Sequence, residues 1–261
     1  MRIMLTGASG YVGRSLAKHL ERHNEVFTHT RKVCDLLDTE AVDGIFNNNN
    51  FDIVIHCAVV GGSRLKNDHS EVLYENMQMF LNIFKNKDRY RKLIHFGSGA
   101  QHCSSEPYGI SKRAISNIID STPGCYNINI YGLFDEYEKN TRFIKSNVKR
   151  ALGGKNIIVH KDKKMDFFHM KDLLKLVEYY IANDTLEKNI DCSYKTSLTL
   201  LEIANIIKLR CNPAVDIKII DSGYEEYSGA NTSHLNQIIG SDFLPRLEET
   251  IDKMKLDVQE C

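Results

Sequence analysis

TGASGYVGRSL, residues 6–16, follows directly on the apolar run RIML and opens an amphipathic helical pattern. Gly7, Gly10 and Gly13 let the backbone turn tightly, approach a pyrophosphate and pack a helix against a strand. The helix N-terminus then presents N–H groups to the anion. Glycines at this spacing also arise by chance. Their place after an N-terminal strand and before a helix is what assigns this turn, with Tyr11 and Val12 inside it, to dinucleotide binding.

The same alternation continues down the chain. EVFTHT (25–30), FDIVIHCA (51–58), KLIHFGSGA (92–100) and YNINIYG (126–132) read as strands. Helical patterns cover Tyr11–Arg22, SEVLYENMQMFLNIFKN (70–86) and YGISKRAISNIID (108–120). Strands interleaved with helices mean βαβ units, so the expected fold is α/β: a Rossmann-type, doubly wound parallel sheet covered on both faces. Beyond about residue 160 the rhythm changes. MDFFHMKDLLKLVEYYIA (165–182) and SLTLLEIANIIKL (197–209) read as helices and AVDIKIID (214–221) as a lone strand. The division expected is 1–160 for the dinucleotide domain and 161–261 for a small mixed substrate lobe, some of whose segments return to the first domain.

Lysine plus arginine and aspartate plus glutamate both number 34, so no net field draws the chain to nucleic acid or an anionic membrane. The partner implied is a small molecule. Seven cysteines, at 34, 57, 103, 125, 192, 211 and 261, form no C-x-x-C pair and no zinc-ligand spacing. They read as free thiols in a reducing cytoplasm, with no metal site. There is no signal-peptide pattern and no apolar run long enough to span a bilayer, so a cytoplasmic location is expected.

In a Rossmann unit an acidic residue after the second strand binds the ribose 2′-hydroxyl of NAD. Here no carboxylate appears before Asp35, whereas Arg31 and Lys32 are placed to meet a 2′-phosphate. The basic pair is therefore either an NADPH site, the reading adopted, or a solvated turn.

Tyr108 and Lys112 lie four apart on a predicted helix and so share a face. An ordinary tyrosine, with a pKa of about 10, gives up its proton reluctantly at neutral pH. A neighbouring ammonium, with the positive charge of an oxidised nicotinamide, favours phenolate and tunes Tyr108 for proton exchange with a carbonyl oxygen. Ser98, at the carboxyl end of KLIHFGS, is the candidate hydroxyl donor to that oxygen. Tyr-x-x-x-Lys alone is common on surface helices; the glycine loop and strand-end serine ahead of it make it specific.

With these residues the sequence resembles the extended short-chain dehydrogenases/reductases over at least residues 1 to about 180. Within them it is most similar to the GDP-L-fucose synthase branch of nucleotide-sugar reductases and epimerases. The similar segments are TRKVCDLLD, CAVVGG, YENMQMFLNI, FGSGA, YGISK, NIYGLFD and DFFHMKDL. The resemblance implies that Ser98, Tyr108 and Lys112 are the catalytic triad. It implies that Gly7, Gly10, Gly13 and Ala58 line the cofactor and that Asp35 and Leu36 flank its adenine. Asn76 would support the active-site lysine, or alternatively face water as a polar helix residue. Asn129 and Tyr131 would lie near the sugar and nicotinamide, and Gly99, Asn129 and Arg142 on the substrate side. The helices around Asn76 and Lys112 resemble those of a four-helix homodimer contact.

The departures narrow the chemistry. Fucose synthases epimerise with a cysteine just after the serine and a histidine in a later loop; here those places hold Ala100 and Arg142. Alanine cannot shuttle a proton and arginine stays charged. Cys103 and His102 could substitute in another register. The Asp-Glu pair of the dehydratases is replaced by Gly99 and Ala100. The loop between Ser98 and Tyr108 is short, and Arg142 is either a charge donor to substrate or part of a surface salt bridge. His169 reads as a structural histidine; Lys145, Lys149 and Arg150 read as diphosphate contacts or a solvated face. The function expected is NADPH-dependent reduction of a keto group on a nucleoside-diphosphate-linked sugar, without epimerisation. The rival expectations are a bifunctional epimerase/reductase and a non-catalytic NADP(H)-sensing protein.

Overall fold

Ile3, Met4 and Leu5 of β1 (Arg2–Thr6) are all fully buried, as a strand covered on both faces requires. The computed structural model describes residues 1–63, 67–185 and 187–259; Cys261 lies outside them. After β1 come α1 (Tyr11–Leu20), β2 (Glu25–His29), α2 (Thr39–Asn48), β3 (Ile53–His56), α3 (Glu71–Phe84), β4 (Lys92–Ser98), a single turn α4 (Ala100–Cys103), α5 (Pro107–Ser121) and β5 (Cys125–Ile130). β3 and β4 are buried at every position, which is why neither alternates, although Lys92, His95 and Ser98 of β4 and His56 of β3 are polar. Helix α1 turns Gly13, Leu16 and Leu20 inward, the spacing of one helical face.

The chain continues through β6 (Leu133–Phe134), α6 (Phe143–Leu152), β7 (Ile157–Met165), β8 (Phe168–His169), α7 (Met170–Ala182), β9 (Asn189–Asp191), α8 (Leu200–Cys211), β10 (Ile217–Tyr227), α9 (Ser233–Ile239) and α10 (Phe243–Gln259). It falls into two units. The first is Met1–Ile130 with Leu174–Ile190; the second is residues 131–173 with those from 191 onward.

The first unit carries a six-stranded sheet in the order β2-β1-β3-β4-β5-β9. β1 pairs in parallel with both β2 and β3, Ile3 standing beside Val26 on one side and Ile53 on the other. The strand order therefore reverses between β1 and β3, and a crevice opens at their carboxyl ends. Met4, Val54, Phe80, Ile83, Leu93, Ile115 and Ile119 belong to the core on one face. Lys92 is only 1% exposed, yet its ammonium is satisfied: it donates to the carbonyls of Tyr180 (2.9 Å), Ile181 and Asn183 at the end of α7 and pairs with Asp184 (3.0 Å). A cation at a helix C-terminus is where the peptide dipoles favour one.

In the second unit β7 pairs in parallel with β10, whose register breaks between Asp221 and Tyr224, and β6 pairs with β8. Thr199 and Glu202 form a reciprocal capping box that starts α8. A buried ion pair joins Asp172 to Arg246 (2.7 Å), with Tyr194 donating to the same carboxylate.

Three sequence readings differ from these elements. The helix read over 165–182 begins only at Met170, because Phe168 and His169 pair as a strand with Leu133 and Phe134. AVDIKIID is not a lone strand; it runs along β7, a segment whose lysine-rich sequence hides its pairing. And where the sequence suggested a division near residue 160, the chain leaves the first unit after Ile130, since β6 and α6 pack with β8, β7 and α8. The six cysteines among the described residues are free thiols.

Candidate active site

The glycine turn sets the first half of the site. Gly7 has φ +66°, and a Cβ there would stand 2.6 Å from the backbone nitrogen of Ala58. Only glycine lets β1 turn so close to the end of β3. Gly10 N–H donates back to Gly7 O at 2.9 Å, and Gly10 is the N-cap of α1, supplying no capping side chain. A Cβ on Gly13 would collide with Gly7 O, so this glycine permits the helix to pack on the turn.

A cleft of about 270 Å³ opens at the carboxyl ends of β1, β2 and β3. Six of the residues read from the sequence line it: Gly7, Gly10, Arg31, Asp35, Leu36 and Ala58. Ser9, His29, Thr30, Cys34, Cys57, Val59, Val60 and Met79 also line it and were not read from the sequence. Tyr11, Val12 and Gly13 form the first turn of α1 behind the loop. The glycine cradle, the helix start without a side-chain cap and the basic rim fit a dinucleotide. The Asp35 carboxylate is engaged by the N–H of Leu37 (3.1 Å), which fixes the turn below the cleft.

Asn76 is buried, which decides against its facing water. Its amide grips both backbone groups of Val60 (2.9 and 3.0 Å), and it donates to Ser111 Oγ, which in turn donates to Tyr108 O (2.7 Å). Asn76 thus ties the loop after β3 to the first turn of α5, and reaches Lys112 only through that helix.

Ser98 ends β4 and is 8% exposed, its Oγ accepting from Ala100 N–H at 3.3 Å. Tyr108 and Lys112 lie one turn apart on α5, with the Lys112 Nζ 5.7 Å from the centre of the Tyr108 ring. Gly62, at φ +68°, lies so close to that ring that a Cβ would come within 2.9 Å of it. Lys112 is 4% exposed; its ammonium donates to Phe96 O (2.6 Å) and meets His95 Nε2 (3.2 Å). Burial pulls its pKa down to about 7.

Gly99 follows Ser98, its N–H bonded to Ile130 O (3.2 Å), and Asn129 lies buried on β5 beside Gly97. Ala100, Gln101, His102 and Cys103 make the one turn of α4, where the Cys103 thiol donates to Gly99 O (3.8 Å). Tyr131 and Arg142 belong to the second unit. There Arg142 donates to Leu133 O (3.1 Å) and faces the buried Glu138 at 3.8 Å, so of its two readings the ion pair is the one seen. Burial raises the Glu138 pKa to about 7. Lys145 is the first basic residue of α6 and its N–H bonds Glu138; Arg150 Nε donates to Asn156 O, while Lys149 is exposed. His169 accepts from Lys171 N–H through Nδ1, while its buried Nε2 has no hydrogen-bond partner among the described residues. Among the described residues no cluster of His, Cys, Asp and Glu could hold a metal ion, and no helix is long and apolar enough to cross a membrane.

Residues 3–192 match the NAD dependent epimerase/dehydratase family. A GDP-L-colitose synthase of Yersinia pseudotuberculosis is 25% identical over 249 residues, covering 79% of this chain and 81% of the relative. Among solved structures, a GDP-mannoheptose C4 reductase from Campylobacter jejuni with NADP bound superposes with a TM-score of 0.79 at 17% identity, over 97% of this chain and 96% of the other. A UDP-N-acetylglucosamine 4-epimerase from Bacillus cereus gives 0.78 at 19% identity, over 100% and 97%.

Proposed function

Because the chain belongs to the NAD dependent epimerase/dehydratase family, an extended short-chain dehydrogenase/reductase family of enzymes, we propose that it reduces a keto group on a nucleoside-diphosphate-linked sugar, with NADPH and without epimerisation. The observation that carries this reading is the Tyr108–Lys112 pair on α5, in the same unit as Ser98 at the end of β4, the glycine cradle and its cleft. NADPH held by the Gly7 and Gly10 turn and by Arg31 would supply the hydride for the ketone carbon. Ser98 Oγ donates a hydrogen bond to the ketone oxygen, polarising it as charge builds there. Tyr108 delivers the proton to that oxygen, and the Lys112 ammonium beside the ring stabilises the phenolate left behind. That phenolate in turn draws Lys112 back toward its charged form.

Arg31 on the rim of the cleft, with no carboxylate at the end of β2, supports NADPH over NADH. Ala100 at the place of the fucose synthases' cysteine, and an Arg142 already engaged with Glu138, favour reduction alone. The activities for which the colitose synthase and the mannoheptose reductase are named support a nucleotide-linked sugar as substrate.

The test is oxidation of NADPH, with NADH as control, across GDP-, CDP-, UDP- and dTDP-linked keto sugars in deuterated water. A product two hydrogens heavier, with no solvent deuterium on carbon, is expected. Deuterium next to the former ketone would establish epimerisation instead. Tyr108→Phe is expected to lower kcat at least about 100-fold and leave NADPH affinity within about threefold; substantial residual turnover would sink the mechanism.

A further inference from the structure

Lys112 rests on a buried polar chain that the reaction as described does not use. An ammonium has three donors and no acceptor. One N–H goes to Phe96 O (2.6 Å) and one to His95 Nε2 (3.2 Å), leaving a third for the side of Tyr108. His95 is 1% exposed, and burial together with the Lys112 charge keeps it neutral. Its Nε2 must then accept, which places the ring proton on Nδ1, 2.8 Å from Asn127 Oδ1. Asn127 stands opposite His95 in the β4–β5 register, and its Nδ2 donates to the Oδ1 atoms of Asn129 and Asn189, each at 2.7 Å. Turning the Asn127 amide over would set donor against donor at His95 and acceptor against two acceptors beyond it. The chain therefore has one direction, set by the ammonium.

The space for it is built into the backbone. A Cβ on Gly97 would come within 2.7 Å of Asn127 Nδ2 and collide with Asn129, so the two amides occupy room that only a glycine on the next strand leaves. The other groups against the His95 ring are Phe80 and His56, with ring centres 5.9 and 5.7 Å away; His56 bonds Thr6, and burial drops its pKa to about 3. Of these three neighbours Lys112 is the one that carries charge, in its ammonium form.

We propose that His95 is a positioning residue for Lys112: Asn127 fixes its Nδ1-protonated tautomer, and its Nε2 holds the lysine ammonium alongside Tyr108. The assignment rests on the reading of Tyr108 and Lys112 given above, so its first test does not use turnover. In the full chain labelled with ¹⁵N-histidine, long-range ¹H–¹⁵N correlation at pH 6, where Lys112 is mostly the ammonium, is expected to show a neutral, Nδ1-protonated ring that disappears in His95→Gln. An Nε2-protonated ring or an imidazolium at His95 would overturn the proposal.

A second readout is the titration of the Lys112 ¹³Cε resonance. Its midpoint is expected to fall by about one unit in His95→Phe, which offers no acceptor, and to stay near the parent value in His95→Gln, whose amide can both accept from Lys112 and donate to Asn127. With a substrate in hand, kcat should drop about tenfold in His95→Phe at near-constant NADPH affinity, the basic limb of its pH profile moving down, and recover in His95→Gln. An unmoved Lys112 midpoint in a folded His95→Phe would refute the role. Should His95→Phe not fold, the parent tautomer and His95→Gln decide it. Absence of turnover on every sugar would count against the proposed reaction and leave the two spectroscopic results standing.

Discussion

Lys112 carries a testable electrostatic cost. Its folded pKa lies near 7, below the ordinary 10.5, so between those values the unfolded chain binds more protons than the native one and stability rises with pH. The contribution is complete above the unfolded value and lost as pH falls through the folded one. In the protein without cofactor, the stability of the parent relative to Lys112→Met is therefore expected to rise by about 1.4 kcal/mol per pH unit between pH 7 and 9, measured by urea unfolding at each pH. Gly7 gives a second prediction. Its positive φ and the 2.6 Å approach to Ala58 leave no room for a methyl group, so Gly7→Ala should cost about 1–3 kcal/mol and weaken NADPH binding at least about tenfold by titration calorimetry. The glycines and the Tyr–Lys pair were legible because their chemistry is local, written in spacing alone. His95 and Asn127 were not: each is an ordinary strand residue in sequence, and only the parallel register puts one beside the other.

At the scale of elements, β4 shows why burial does not always read as apolar. Lys92 opens that strand as a charge, yet it is buried under the end of α7, where it satisfies three carbonyls. Lys92→Met is expected to cost about 3 kcal/mol, seen as a lower urea midpoint at unchanged slope, because the carbonyls lose their donor without gaining water. Thr199→Ala removes one half of a capping box and should cost about 1 kcal/mol. β1 and β3 were legible because central strands covered on both faces are mostly apolar. β7 was not: only Ile157, Val159 and Met165 are buried along it, and its lysines are matched by Glu225 and Glu226 across the strand pair, at a separation no local window spans.

For the whole molecule, self-association is the open property that the surface of the first unit argues for. Tyr74 and Leu81, seven apart on α3, are 69% and 41% exposed, and Ile110 on α5 is 39% exposed. Such apolar side chains on two packed helices support the proposed four-helix homodimer. Light scattering at micromolar concentration is expected to give twice the chain mass for the parent and a single chain mass for Leu81→Glu; a monomeric parent would remove the proposal.

The interrupted first unit has a further consequence, for the order in which the chain is made. A ribosome releases β1 to β5 first, then the whole of Tyr131–Leu173, and only afterwards the Leu174–Ile190 return that brings β9 to the sheet. At about 5–20 residues per second that gap lasts a few seconds. Throughout it the nascent sheet keeps an unpaired edge at β5, and Lys92 waits for carbonyls not yet synthesised. The first unit is thus the first to emerge and yet is completed only after all of Tyr131–Leu173 has been made.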